Sequence, residues 1–131
     1  MILFMSTPKK ILLVDDDATA IFLSQRTLKR AEIEVEVLTA EHGLAALEIV
    51  KRVCEQEQCP ELILLDINMP VMDGFEFLEA LQTSADLSKA DIKIVLVSSS
   101  THYLDIARSK KYPGIDCIEK PLTIEKVSQF L

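Results

Sequence analysis

The chain has 131 residues, 49% of them hydrophobic and 27% charged. That is the composition of one folded domain able to bury about two-thirds of its surface, and it excludes a disordered chain. A formal net charge of −7 argues against direct binding to nucleic acid.

From the N-terminus, residues 1–5 (Met-Ile-Leu-Phe-Met) are apolar but lack the basic flank and the roughly 7–15 apolar residues of a signal peptide. Residues 1–8 read as a short extension, and residues 9–131 as the domain. No run of about 18 apolar residues occurs, so no membrane span is expected and the reading is a cytoplasmic protein. The first apolar run, Ile11-Leu12-Leu13-Val14, has no alternation, as expected of a strand covered on both faces. Residues 18–31 follow with Ala18, Ile21, Phe22, Leu28 and Ala31 on one helical stripe. Residues 35–39 are apolar but carry Glu36, which suits an edge strand. Residues 43–57 form a second helix pattern through Leu44, Leu47, Val50 and Cys54. Leu62-Ile63-Leu64-Leu65 is a second buried strand, and residues 74–84 a third helix through Phe75, Leu78 and Leu81.

Ile94-Val95-Leu96-Val97 is a third buried strand. The helix pattern at 101–111 is sparse, anchored by Leu104 and Ala107. Lys110 and Lys111 suit the negative end of its dipole, and Pro113-Gly114 stops it. Residues 115–119 are a second charged, edge-type strand, and residues 123–131 a last helix through Ile124, Val127 and Leu131. Five strand–helix units predict an α/β fold. The sheet is flavodoxin-like, doubly wound, five-stranded and parallel, in order 2-1-3-4-5 with helices on both faces. Cys54 and Cys59 lack a second cysteine pair or a nearby histidine, so neither zinc nor a disulfide framework is expected. They read as buried or half-buried thiols in a reducing compartment.

In such a sheet ligands bind beyond the carboxyl ends of the strands. Those ends carry Asp15-Asp16-Asp17, Asp66, Ser98-Ser99-Ser100 and Glu119-Lys120-Pro121. Asp17 reads best as a helix cap. Asp15, Asp16 and Asp66 gathered on one rim would repel one another, and a hard divalent cation that keeps several waters, Mg²⁺, is the natural compensation. Three carboxylates and Lys120 sum to −2; a divalent cation brings the site near zero, and a phosphoryl group then becomes tolerable. A metal, a lysine and a hydroxyl suffice for phosphoryl transfer, and a carboxylate can be the nucleophile.

The sequence resembles the receiver domains of two-component response regulators. The matching residues are Ile11-Leu12-Leu13-Val14-Asp15-Asp16, the D-x-x-M-P-x-M-D-G stretch from Asp66 to Gly74, Val97-Ser98 and Lys120-Pro121. The resemblance implies that Asp66 accepts a phosphoryl group from a histidine kinase or histidine phosphotransfer protein. It implies Asp16 as direct Mg²⁺ ligand and Asp15 as holder of metal-bound water, with Asp66 and the Asn68 carbonyl completing the protein ligands. Lys120 would pair with Asp66 and then with the phosphoryl group, Ser98 would swing onto it, and Lys120-Pro121 would be cis. The output would be read by a downstream protein at the face of helix 101–111, strand 115–119 and helix 123–131. Asn68 and Ser100 are candidates for setting the phosphate lifetime. One departure is Cys117, where the family usually carries an aromatic switch residue; Tyr103 is a candidate substitute. Met69 and Met72 read as packing, Asp73 and Gly74 as a turn into the third helix, and His42 and His102 as surface residues.

Two other readings compete. Leu13-Val14-Asp15-Asp16-Asp17-Ala18-Thr19 fits the h-h-D-x-D-x-T motif of haloacid-dehalogenase-like phosphatases, with Asp15 as nucleophile and Asp17 as general acid. A pseudo-receiver, keeping the fold without the chemistry, is the other. The sequence leaves open whether the domain acts alone or is part of a longer protein.

Overall fold

Strands and helices alternate strictly along the chain in a computed structural model that describes residues 9–88, 90–99 and 103–131, without the side chains of 103–105. The elements are β1 (Lys9–Val14), α1 (Ala18–Leu28), β2 (Val35–Ala40), α2 (Gly43–Glu55), β3 (Leu62–Asp66), α3 (Gly74–Thr83), β4 (Lys93–Ser98), α4 (Tyr103–Ser109), β5 (Asp116–Glu119) and α5 (Ile124–Ser128). The sheet is parallel, in order β2-β1-β3-β4-β5. The three unbroken apolar runs occupy its centre, where both faces are covered, and the charged runs sit at its edges. The N-terminal extension, Ser100, His102 and the side chain of Tyr103 lie outside the described residues.

Successive residues of a strand point to opposite faces. Leu12, Val14, Ile63, Leu65, Ile94 and Leu96 therefore join α2 and α3 in one core through Ala46, Leu47, Val50, Phe75, Phe77 and Leu78. Ile11, Leu13, Leu62, Leu64, Val95 and Val97 face the other way, onto a smaller cluster with Leu28 and Val127.

That asymmetry corrects the helix stripes. In α1 only Leu28 is buried; Ala18 and Phe22 are exposed, Phe22 at 57%. Leu44 is also exposed, and in α4 Ala107 is exposed while Ser109 is buried. The helices are shorter than the periodicity predicted because backbone turns intervene. α1 stops at Leu28, whose carbonyl accepts from the Ala31 N–H, α4 stops before Lys110, and α5 stops at Ser128. Glu57, at φ 59°, ends α2 and folds the chain back. This reversal joins Cys54 to Cys59 in a disulfide, Cα–Cα 4.2 Å, where two separate thiols were expected. The pairing depends on a left-handed residue between the cysteines, which spacing alone does not reveal. His42 is half-buried and caps α2, its Nδ1 accepting from the Ala45 N–H at 3.1 Å.

Candidate functional site

Register sets the site. Val14 pairs with Leu65, and Asp66 with Val97, so the first residues beyond β1, the last of β3 and the last of β4 stand at one rim of the sheet. Asp15 follows β1 directly and is 9% exposed; Asp66 closes β3 at 6% and Ser98 closes β4 at 3%. Carboxylate oxygens of Asp15, Asp16 and Asp66 all lie within 4.8 Å of one another. Lys120 arrives from the neighbouring strand: its N–H donates to the Ser98 carbonyl at 2.7 Å, and the Lys120-Pro121 bond that follows is cis.

The Lys120 ammonium donates to Asp15 Oδ2 at 2.8 Å and stands 3.8 Å from Asp66 Oδ1. The expected pairing with Asp66 is thus present as the longer arm of a bridge whose shorter arm goes to Asp15. Asp15 spends its other oxygen, Oδ1, on the Asp17 N–H at 2.9 Å, which fixes the turn into α1. Asp17 caps that helix, accepting from the Thr19 N–H at 2.9 Å. A carboxylate engaged in capping gives no support to Asp17 as a general acid.

Burial is the main force on Asp66, and the Asp15 charge adds to it; Lys120 and the Asn68 N–H oppose them. The carboxyl is pushed up from 3.8 to about 6. For Lys120, burial alone would lower the ammonium, but the Asp15 hydrogen bond and the charges of Asp66, Asp15 and Asp17 outweigh it and hold it above its ordinary value. Among the described residues the three carboxylates therefore share the Lys120 ammonium. Their oxygen-only, clustered donor set fits a hard divalent ion.

The loop after β3 is built to close over Asp66. The Gly74 N–H donates to the Ile67 carbonyl at 2.9 Å, and a Cβ on Gly74 would meet the Asp66 carbonyl oxygen at 2.8 Å. Only glycine permits that approach. Asp73 and Glu76 then form a capping box that starts α3, with bonds of 2.8 and 3.2 Å. Met69 packs into the core, and Met72 packs against it. Val71, at φ 68°, is 77% exposed at the loop tip. Cys117 on β5 is half-buried against the core.

A feature missed in the sequence lies beside the rim. A cleft of about 380 Å³ runs under α1, with Asp15, Asp66 and Lys120 at its polar end and Ile21, Leu64 and Leu122 along its walls. It exists because α1 packs loosely on the smaller core, and no residue pattern announces loose packing.

A fold wound this way is a doubly wound α/β domain of the kind that binds its ligand at the β1/β3 switch point, where the acidic rim stands. The family model described as the response regulator receiver domain matches residues 11–131, and the chain belongs to that family. Response regulator Rcp1 of Synechocystis sp. is 36% identical over 104 residues, which span 78% of this chain and 69% of that protein. The crystal structure of a two component response regulator from Cytophaga hutchinsonii superposes with a TM-score of 0.87 at 25% identity, covering 95% of each chain. The Mn(2+)-bound form of response regulator Rcp1 superposes with a TM-score of 0.71 at 32% identity, covering 93% of this chain and 88% of that one.

Proposed function

We propose that this domain is a phosphoacceptor of a two-component system. In this reading Asp66 receives a phosphoryl group from a histidine kinase or histidine phosphotransfer protein. The observation that carries it is the meeting, from three separate stretches of chain, of Asp15, Asp16, Asp66 and Lys120 at one rim.

The Asp66 carboxylate attacks phosphorus, a P–O bond forms as the donor's P–N bond breaks, and the electron pair leaves on the imidazole. The cleft under α1 leaves the donor a path to Asp66. Lys120 already stands between Asp15 and Asp66, so its ammonium moves only a short way to meet a phosphoryl oxygen. Ser98, closing the adjacent strand β4, supplies a hydroxyl. A bound Mg²⁺, held by Asp15, Asp16, Asp66 and the Asn68 carbonyl, would supply charge neutralisation for the incoming group. The Mn(2+)-bound Rcp1 structure supports a divalent ion in this role. The chemistry is confined to the domain's own phosphorylation and dephosphorylation, so the domain signals rather than turning over substrate.

The new charge at the rim would bias the face of α4, β5 and α5 toward a downstream protein. Among the described residues no helix is long and apolar enough to cross a membrane, and we place the reaction in the cytoplasm. The test is intact mass after acetyl phosphate and Mg²⁺. Wild type gains one phosphoryl group and Asp66→Asn gains none; a phosphoryl group retained by the variant, or mapped to Asp15, overturns the reading.

A further inference from the structure

At the opposite end of β3 from Asp66 lies a second reactive group. α2 ends at Glu55 and β3 begins at Leu62, and the disulfide between Cys54 and Cys59 closes the turn between them. We propose that this pair is a reversible thiol–disulfide exchange site, open to small thiols and disulfides of the glutathione class, rather than a permanent staple.

Access comes first. Both cysteines are half-buried, and residues 55–58 between them are all exposed. Cys54 packs against the core on one side, but neither cysteine is fully buried and the turn between them is exposed, so an attacking thiolate approaches a sulfur from the turn side. Exchange rates depend on such access as well as on thiolate character.

Preorganisation comes second. The turn has its own hydrogen bonds: the Glu57 N–H donates to the Cys54 carbonyl at 3.0 Å and the Gln58 N–H to the Val53 carbonyl at 2.8 Å. Beyond the turn, the Glu61 N–H donates to the Lys10 carbonyl at 2.9 Å, and the Lys10 ammonium donates to the Gln58 side chain. None of these bonds involves a sulfur, so reduction removes none of them directly, and closure is an intramolecular step between two thiols held by one turn. A ring spanning only residues 54–59 also constrains the unfolded chain far less than a long one would, so opening it leaves the fold intact.

The chemistry balances. A Cys54 or Cys59 thiolate attacks oxidised glutathione and releases one glutathione thiolate. The second cysteine then displaces the other, so two protein thiols and one glutathione disulfide become one protein disulfide and two glutathiones. A dithiol reductant runs the same two displacements backwards.

The 131-residue chain, folded and without denaturant, is incubated with oxidised glutathione, then with dithiothreitol, then with oxidised glutathione again. Samples from each stage are alkylated in urea and mapped by mass. We expect Cys54 and Cys59 to be blocked to alkylation and disulfide-linked to each other at the two oxidised stages, and alkylated at the reduced stage. Cys117→Ser cycles identically, and Cys54→Ser leaves Cys59 carrying one glutathione. A bond that stays closed in dithiothreitol until the protein is unfolded overturns the proposal. So do cysteines that stay reduced in oxidised glutathione, or pairing that runs through Cys117.

Discussion

Replacing Asp66 by Asn removes a buried charge while keeping the shape of the side chain. The Asp66 carboxyl titrates near 6 in the folded protein against an ordinary value of 3.8. Because the folded value is the higher one, the native state holds the proton more tightly. The stability this confers is fully present below about pH 4 and is lost as pH rises through about 6. A difference of about two units at 1.36 kcal/mol each is about 3 kcal/mol, the cost of ionising Asp66 in the metal-free protein at neutral pH. The Lys120 charge and the Asn68 hydrogen bond favour the ionised form, and the net upward shift already includes both. Desolvation and the Asp15 charge outweigh both, so the variant should be more stable than wild type by about 3 kcal/mol at pH 7.5. Urea unfolding in the presence of a chelator measures it, and the gap should close as pH falls toward 4. Adding Mg²⁺ should stabilise wild type more than the variant, since only wild type offers the third carboxylate. A variant no more stable than wild type at pH 7.5, or a gap unchanged down to pH 4, would refute the account.

Three further outcomes follow from the same rim. Lys120→Met removes the cation 3.8 Å from Asp66, so the Asp66 carboxyl should titrate roughly one unit or more higher, as read by carbon NMR across pH, and phosphoryl uptake from acetyl phosphate should fall. Gly74→Ala places a Cβ 2.8 Å from the Asp66 carbonyl and 3.0 Å from Ile67 Cα. Both are backbone atoms that cannot swing aside, so urea unfolding should show a loss of about 1–3 kcal/mol. Val71 holds a left-handed backbone, φ 68°, at 77% exposure. Asn tolerates that region far better than a β-branched residue, so Val71→Asn should raise the thermal midpoint with a gain of about 1 kcal/mol, and a lower midpoint would show that Val71 makes packing contacts of value.

The sheet was legible because its signal is binary. Four apolar residues in a row at 11–14, 62–65 and 94–97 can only be covered on both faces, and Glu36 and Asp116 mark the two edges. Once strand order follows, the residue just past each strand is placed to within one register step, which is why Asp15, Asp66, Ser98 and Lys120 are legible in the sequence. The pairing inside the site was less legible. Whether Lys120 takes Asp15 or Asp66 is settled by the difference between 2.8 and 3.8 Å, a distance finer than any spacing rule. The Cys54–Cys59 bond was missed for a related reason: it hangs on the left-handed turn at Glu57, a residue with no preference for that conformation.

The failure on α1 has a different cause and joins fold to function. Its periodic residues Ala18, Ile21, Phe22 and Leu28 predict a packed stripe, yet only Leu28 is buried. Periodicity reports which face of a helix could be covered, not how much core waits beneath it. On the α2 and α3 side that core is filled by Phe75, Phe77 and Leu78; on the α1 side the aliphatic strand residues meet Leu28 and Val127 and leave a cleft. Filling that cleft would bury more apolar surface, at about 25 cal/mol per Å², but it would also wall off the polar end where Asp66 stands. Under the proposed function a large donor must reach Asp66, so the loosely seated helix keeps the acceptor accessible while the well-filled opposite face holds the fold.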